Sequence, residues 1–567
     1  MDLTPQQPPG APGPEYSFDT DRPAPDASPP DSASLAEPPP PTMRTTLRRA
    51  AFGMVAGAVL VTGAVVAVPD DDNEAPPVAG PVSRAMSATA AGSPAALTDL
   101  TALIGDRQKW VGTHPSDADS WAVLGSAYVE VGRRAADPAY YTRAEQALKR
   151  SLDVRPGESG NTAAWVGLAS LANARRDFVT AKKWGETVRK RSPKEWTVYP
   201  QLIDAYNGLG DQKSAITAVE RFTELRAGVP ALGRAAEMYR DRGWREDALA
   251  TAQDAANRAK TPAEKAACLS RLGDLAWERG EPKEAVAQYG AALRVEKGHH
   301  PSLAGRARAL AALGRTDEAV RDYQAALAKS PRPGYLLELG ELYESQGLDG
   351  DSVGQYEKLR AALDRGTARG VDESLPLGRF EAAHGDAAAA VELLRAEWQR
   401  GHRSAAVADA LGWALHRSGD SDGALEYARR AVDAGGQNAS YAYHLGMVQR
   451  ALGDYGSARR RLEGALRTNP KFSPLDAPLA QEALDALGEP PAGGPADMRP
   501  APAPEPPAPA PQAPAPQVPA PQAPAPQAPA PQQQQPAPDG PAPGPAPAAG
   551  VAQPPVQPAP APAAAAH

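Results

Sequence analysis

His299 and His300 stand side by side just before Pro301. Two imidazoles are half of a zinc site, but third and fourth ligands are not evident around this pair. It reads as a solvated linker between helical segments. His384, His402, His416 and His444 are dispersed, so they form no metal-ligand spacing either. The single cysteine, Cys268, excludes an intrachain disulfide and any Cys-based metal cluster. It lies in the helical pattern AEKAACLSRLGDLAW, which predicts a buried, inert thiol rather than a nucleophile. Glu338 and Glu341 sit three apart on a helix and read as a solvated acidic face. There is no H-E-x-x-H, P-loop, G-x-S-x-G or C-x-x-C. The expectation is a chain without catalytic residues, cofactor or metal.

The elements that carry these residues follow from composition. The 567-residue chain has a net charge of -8 and no basic stripe interleaved with aromatics, so no nucleic-acid footprint. Its 62 prolines gather at the two ends. Residues 1–46 are rich in Pro, Ser, Asp and Ala and bury too little apolar area to offset ordering entropy, so disorder is expected. Residues 47–68 hold an uncharged apolar run from Ala50 to Val68. As a helix it would span roughly 28 Å, close to the hydrocarbon thickness of a bilayer. Arg44, Arg48 and Arg49 precede it, which places the N-terminus in the cytoplasm and the rest of the chain outside the plasma membrane. Two readings stay open: an uncleaved single-pass anchor, or an export signal cleaved after Val65-Val66-Ala67. Gly53 and Gly57 form a G-x-x-x-G that could let two such helices approach as a weak homodimer. Residues 69–96 read as a flexible polar spacer. Residues 490–567 are a Pro-Ala-Gln tail, with Gln512, Gln517, Gln522, Gln527 and Gln532 every five residues. Such a tail favours extended polyproline II.

Between these ends, residues 97–489 repeat one pattern. In nine copies the first helix has a small residue at its contact face: Gly125, Ala169, Ala236, Gly273, Ala307, Gly340, Gly378, Gly412 or Gly446. Turns follow, often Gly-Asp, as in Gly210-Asp211, Gly385-Asp386, Gly419-Asp420 and Gly453-Asp454. A second helix is anchored by Ala144, Ala181, Ala215, Ala248, Ala285, Ala319, Ser352, Ala390, Ala424 or Ala458. Prolines 156, 193, 331 and 470 close several copies. Ala439 to Phe472 is the most regular of them. A segment from Leu479 to Leu487 reads as a closing helix.

The pattern resembles the tetratricopeptide repeat family, whose period is about 34 residues. Trp121, Leu124, Gly125 and Tyr128 match the family's first helix; Ala319, Tyr323, Ala326 and Pro331 match its second. Gly185 and Glu381 depart from it, and RRAADPAYY is inserted in the first copy. The resemblance implies an all-α, right-handed superhelical solenoid of about ten helical hairpins. It implies a concave face that binds a protein or peptide. Aligned copies place Asn173, Asp204, Asn207, Arg234, Glu237, Arg240, Arg271, Asp274, Arg308, Arg379, Trp413, His416 and His444 on that face. Arg234, Arg271 and Arg308 would form a positive ladder suited to carboxylates. The expected function is a non-catalytic scaffold for protein–protein interaction, displayed outside the membrane. A secreted soluble factor and an accessory subunit of an envelope enzyme complex remain as alternatives.

Overall fold

The computed structural model describes residues 80–156 and 160–488. The chain divides into residues 1–78 and 79–567, and the described residues all belong to the second unit. The apolar run at 47–68, with Gly53 and Gly57, lies outside them, as do the head and the Pro-rich tail. Among the described residues, no helix is long and apolar enough to cross a membrane.

The described elements are all α-helices. They comprise α1 (Pro81–Ala91), α2 (Leu97–Thr113), α3 (Ala118–Ala135), α4 (Ala139–Val154), α5 (Thr162–Ala174), α6 (Phe178–Arg191), α7 (Val198–Gly208) and α8 (Gln212–Leu225). There follow α9 (Val229–Asp241), α10 (Arg245–Arg258), α11 (Pro262–Glu278), α12 (Pro282–Val295), α13 (His300–Ala312), α14 (Thr316–Lys329), α15 (Pro333–Ser345) and α16 (Asp349–Thr367). The series ends with α17 (Ser374–His384), α18 (Ala387–Gln399), α19 (Ala405–Arg417), α20 (Ser421–Ala434), α21 (Ala439–Ala451), α22 (Tyr455–Thr468) and α23 (Asp476–Ala486). From α3 to α22 the helices pair as ten antiparallel hairpins. The expected spacer is partly structured: α1 occupies it, with Pro81 in its first turn, Ala85 fully buried and Arg84 ion-paired to Asp99 at 2.6 Å.

The Gly-Asp dipeptide makes the hairpin turn compact because each residue completes one helix. Gly453 takes φ +78°, the left-handed conformation that ends α21, and Asp454 accepts a hydrogen bond from the Ser457 amide to cap α22. Gly385 departs: its φ is -141°, and only Asp386 contributes, capping α18. The ten second-helix anchors are all buried. Opposite them, small first-helix residues admit the partner helix. A Cβ on Gly273 would stand 2.6 Å from the Tyr289 ring, and one on Gly378 2.6 Å from Leu394. The core runs along the chain as successive clusters, each joining neighbouring helices, as expected when a repeat buries its apolar face only against the next. Helix α23 covers the last face with Ala480 and Ala483.

The row of hairpins coils back on itself. The turns of the first four hairpins meet the loops entering the seventh to tenth, and the turn of the fifth meets the loop entering α23. Ser330 Oγ donates to the Arg134 carbonyl at 3.0 Å, and Arg176 Nη1 donates to the Asp372 carbonyl at 2.8 Å. Gln212 Nε2 reaches the Ala434 carbonyl at 2.7 Å, and Asn469 Nδ2 the Trp277 carbonyl at 2.8 Å. Two successive coils are therefore joined along a seam.

Candidate functional site

Inside the coil lies a cavity of about 1710 Å³. Its wall is built mainly from the first helices of hairpins three to ten, the odd-numbered α7 to α21, and closed at one end by the residues that lead into α23. Of the residues placed by sequence on the binding face, Asn207, Arg234, Glu237, Arg240, Arg308, Arg379, Trp413 and His444 line it. Asn173, Asp204, Arg271, Asp274 and His416 do not, although Asp204 and Arg271 hold lining residues in place.

The arginines are paired rather than presented as a positive ladder. Arg234 binds Asp204 at 2.7 Å and Glu237 at 3.2 Å; Arg271 binds Glu237 at 2.6 Å. Arg308 binds Glu338 at 2.8 Å and lies over the Trp277 ring at 5.7 Å. Arg240 pairs with Asp241 at 2.7 Å, with Glu278 at 3.9 Å. The wall is thus an alternation of guanidinium and carboxylate. Burial alone would raise the Glu237 carboxyl, but Arg234 and Arg271 hold it at about 2. Where no cation lies so close, burial wins: the Asp274, Glu278 and Glu341 carboxyls are all raised.

Glu338 and Glu341 are therefore not a solvated face. Glu338 also accepts from the Tyr323 hydroxyl at 2.9 Å, and Glu341 meets His384 at 3.3 Å. Both line the cavity. The sequence signal for this charge alternation was the spacing of Arg234 and Glu237, an acid one helical turn after the arginine. At the far end Trp413 stacks on His444, with ring centroids 4.2 Å apart, and Tyr441 and Phe472 add apolar wall. His444 pairs with Asp409 at 2.8 Å; burial opposes protonation there, yet the carboxylate outweighs it and the imidazole pKa is raised. His416 faces away from this wall, bonded to Ser421 Oγ at 2.9 Å, and burial lowers it. Asn173 donates to the Gln201 carbonyl at 2.9 Å.

His299 and His300 do not converge on one point. The first pairs with Ser302 Oγ at 2.8 Å, the second with the Tyr335 hydroxyl at 2.9 Å. They are half-buried rather than a solvated linker. Cys268 is buried and burial raises its thiol, which matches the inert reading. One group elsewhere has metal-like spacing: Asp372, Glu397 and His402, whose ligand atoms lie within 4.8 Å of one another. The Arg400 guanidinium already bonds both carboxylates there, so a cation is supplied by the chain itself.

Residues 304–366 match the family model of the tetratricopeptide repeat. These residues span most of the sixth and seventh hairpins, and further antiparallel helix hairpins run on either side of them. Residues 83–161, spanning α1 to α4, match the model of the bacterial transcriptional activator domain. No curated protein matches the chain. Among solved structures it is similar to the Cut9–Hcn1 hetero-tetramer of the APC/C, at 14% identity over 69% of this chain and 82% of that one, with a TM-score of 0.35. A tetratricopeptide repeat protein from Parabacteroides merdae aligns at 18% identity over 46% of this chain and 99% of its own, with a TM-score of 0.29. The human IFIT1 dimer with PPP-AAAA aligns at 17% identity over 56% and 72%, with a TM-score of 0.36.

Proposed function

We propose that this protein is a non-catalytic scaffold that holds an extended segment of a partner protein in the cavity of its coil. The observation that carries the reading is the wall itself. Ion-paired arginines and carboxylates alternate from α9 to α15, then give way to the Trp413–His444 aromatic end. Such a wall offers donors and acceptors of both signs along one line, and it is preformed, which lowers the ordering cost of association. Charged positions already paired within the wall discriminate by geometry and give specificity more than raw affinity. The reading also places the solenoid outside the plasma membrane, supported by the uncharged run Ala50–Val68 and the arginines before it. There an anchor would raise the partner's effective concentration.

A photoreactive residue at Ala383 on the cavity wall, compared with one at Val353 on an exposed outer helix, tests the scaffold reading in intact cells. Capture of one partner from the first position and not the second is expected. Equal capture from both positions, or none from the first, sinks the cavity as the site. Membrane fractionation tests the placement: full-length chain in the membrane fraction, with the solenoid open to external protease, is expected.

The match of residues 83–161 to the bacterial transcriptional activator domain favours a second reading, in which the scaffold serves a transcription assembly inside the cell. Protection of the solenoid from external protease in intact cells would support it.

A further inference from the structure

The seam between the coils is more than a packing contact, because both of its sides line the cavity. Gly210 faces Arg403 and Ser404, and Gln212 faces Ala434, and all five residues border the cavity. Trp277 and Asn469 do the same. The seam is also built unlike the rest of the molecule. Apolar clusters join helices that follow one another in the chain, and among the described residues only Val371 joins a buried apolar cluster across the seam. What spans the seam is chiefly polar: hydrogen bonds to main-chain carbonyls from Asp372 N to Arg175 O, Arg176 to Asp372 O, Gln212 to Ala434 O and Asn469 to Trp277 O, with the Arg176–Glu373 ion pair and one ring contact, Phe178 against His402.

The glycine turns under the seam have the shape of turns that nothing covers. Gly210, Gly243 and Gly280 take φ of +71°, +74° and +74° beneath the second coil, with its atoms within 4 Å of where their Cβ would be. Gly314, Gly347 and Gly453 take +75°, +70° and +78° with nothing within 4 Å. The turn has one shape whether covered or open. Local opening is expected where apolar contacts are few and the free energy of separation is low.

We infer that the seam is a lateral gate: the two coils part along it to admit an extended polypeptide to the cavity, and close again by re-forming the loop-to-turn hydrogen bonds. This rests on the scaffold reading for what enters, but the gate itself is a property of the empty chain. An extended segment with folded domains at both ends can enter a coil only from the side.

The test uses the full chain carrying Cys268→Ser and Ala383→Cys, so that one thiol stands on the cavity wall. The probes are N-ethylmaleimide and a bulky polyethylene-glycol maleimide. The expected result is rapid reaction with the small reagent and slow reaction with the bulky one. Adding Asn469→Ala and Arg176→Ala should speed the bulky reaction by about tenfold or more, as loss of net hydrogen bonds from a local opening equilibrium implies. If that pair fails to fold by circular dichroism, Gln212→Ala alone serves as the milder variant. In parallel, the Asp372 amide should exchange hydrogen much faster than the Tyr289 amide inside α12. Equal rates for the two reagents, or a bulky-reagent rate indifferent to the seam variants, would overturn the gate in favour of entry from an open end. Neither readout involves a partner, so a failed gate and a failed scaffold reading give different results.

Discussion

Asn469 donates its side-chain amide to the carbonyl of Trp277 at 2.8 Å, bridging 192 residues of chain. Asn469 is 3% exposed, and its Oδ1 accepts from the Lys471 amide. One side chain thus satisfies the end of α11 and shapes the loop into α23. Replacing it with Ala removes both bonds, leaving the Trp277 carbonyl with the Gly280 amide alone, a loss of about 1–3 kcal/mol at about 0.5–1.5 kcal/mol per net hydrogen bond. Urea unfolding should show that loss in the midpoint. The slope should stay close to wild type if the two coils unfold together, and split into two transitions if they do not.

The hairpins were legible in the sequence because their determinants are local. Gly453 and Asp454 encode a helix end and a helix start in two adjacent positions, and Ala458 declares a buried contact by its size. The carboxylate partners of the arginines were half legible. Glu237 stands one turn from Arg234, so that pair was within reach, but Asp204 and Glu338 belong to neighbouring hairpins 30 residues away. The seam was not legible. Its glycines serve the turn first, and Gly280 under the second coil looks the same in sequence as Gly314, which lies under nothing. Whether a solenoid closes on itself depends on small rotations summed over six hairpins, and no single residue carries that sum. For the same reason the sequence implies a concave binding face but not its enclosure by a second coil.

The small residues of the first helices make opposed predictions at two glycines. Gly273→Ala places a methyl 2.6 Å from the buried Tyr289 ring, whose hydroxyl is held by Asp274 at 2.7 Å. Overpacking there should cost about 1–3 kcal/mol. Gly354→Ala lies within α16 with nothing within 4 Å, so it should stabilise by about 0.5–1 kcal/mol through helix propensity. Thermal melts of the two variants should move in opposite directions. A parallel fall would show that α16 needs its glycine for some contact other than packing space.

Glu237 ties the cavity wall to pH. Its carboxyl is held at about 2, below the ordinary 4.5, because Arg234 and Arg271 outweigh the effect of burial. A depressed folded pKa means that the stabilisation is complete above about 4.5 and is lost as pH falls toward about 2. Glu237→Gln should lower stability at neutral pH by about 1–3 kcal/mol, since two guanidinium groups lose an ionised acceptor. It should also flatten the acid limb of the stability curve between those two values. A variant curve parallel to wild type across that range would show that the pairing does not persist in solution.

Two histidines should give stability slopes of opposite sign. Burial, with Arg332, His299 and Arg134 adding repulsion, lowers the His300 imidazole to about 3. Its unfolded pKa is near 6.5, so its contribution is complete above 6.5 and is lost as pH falls toward about 3. His444 is raised by Asp409 against burial, so its contribution is complete below 6.5 and fades as pH rises through its folded pKa. Ring-proton NMR titration of the native chain should therefore find His444 still charged at a pH where His300 is neutral. His300→Gln should lessen the loss of stability on acidification below 6.5. Asp409→Asn should lower the His444 pKa, because burial and Arg379 would then be opposed by Asp476 alone. That change would alter the charge at the aromatic end of the cavity while the Trp413 stack remains, separating the electrostatic from the apolar part of whatever binds there. If His444 titrated at its ordinary value in both proteins, the Asp409 pairing would not exist in solution.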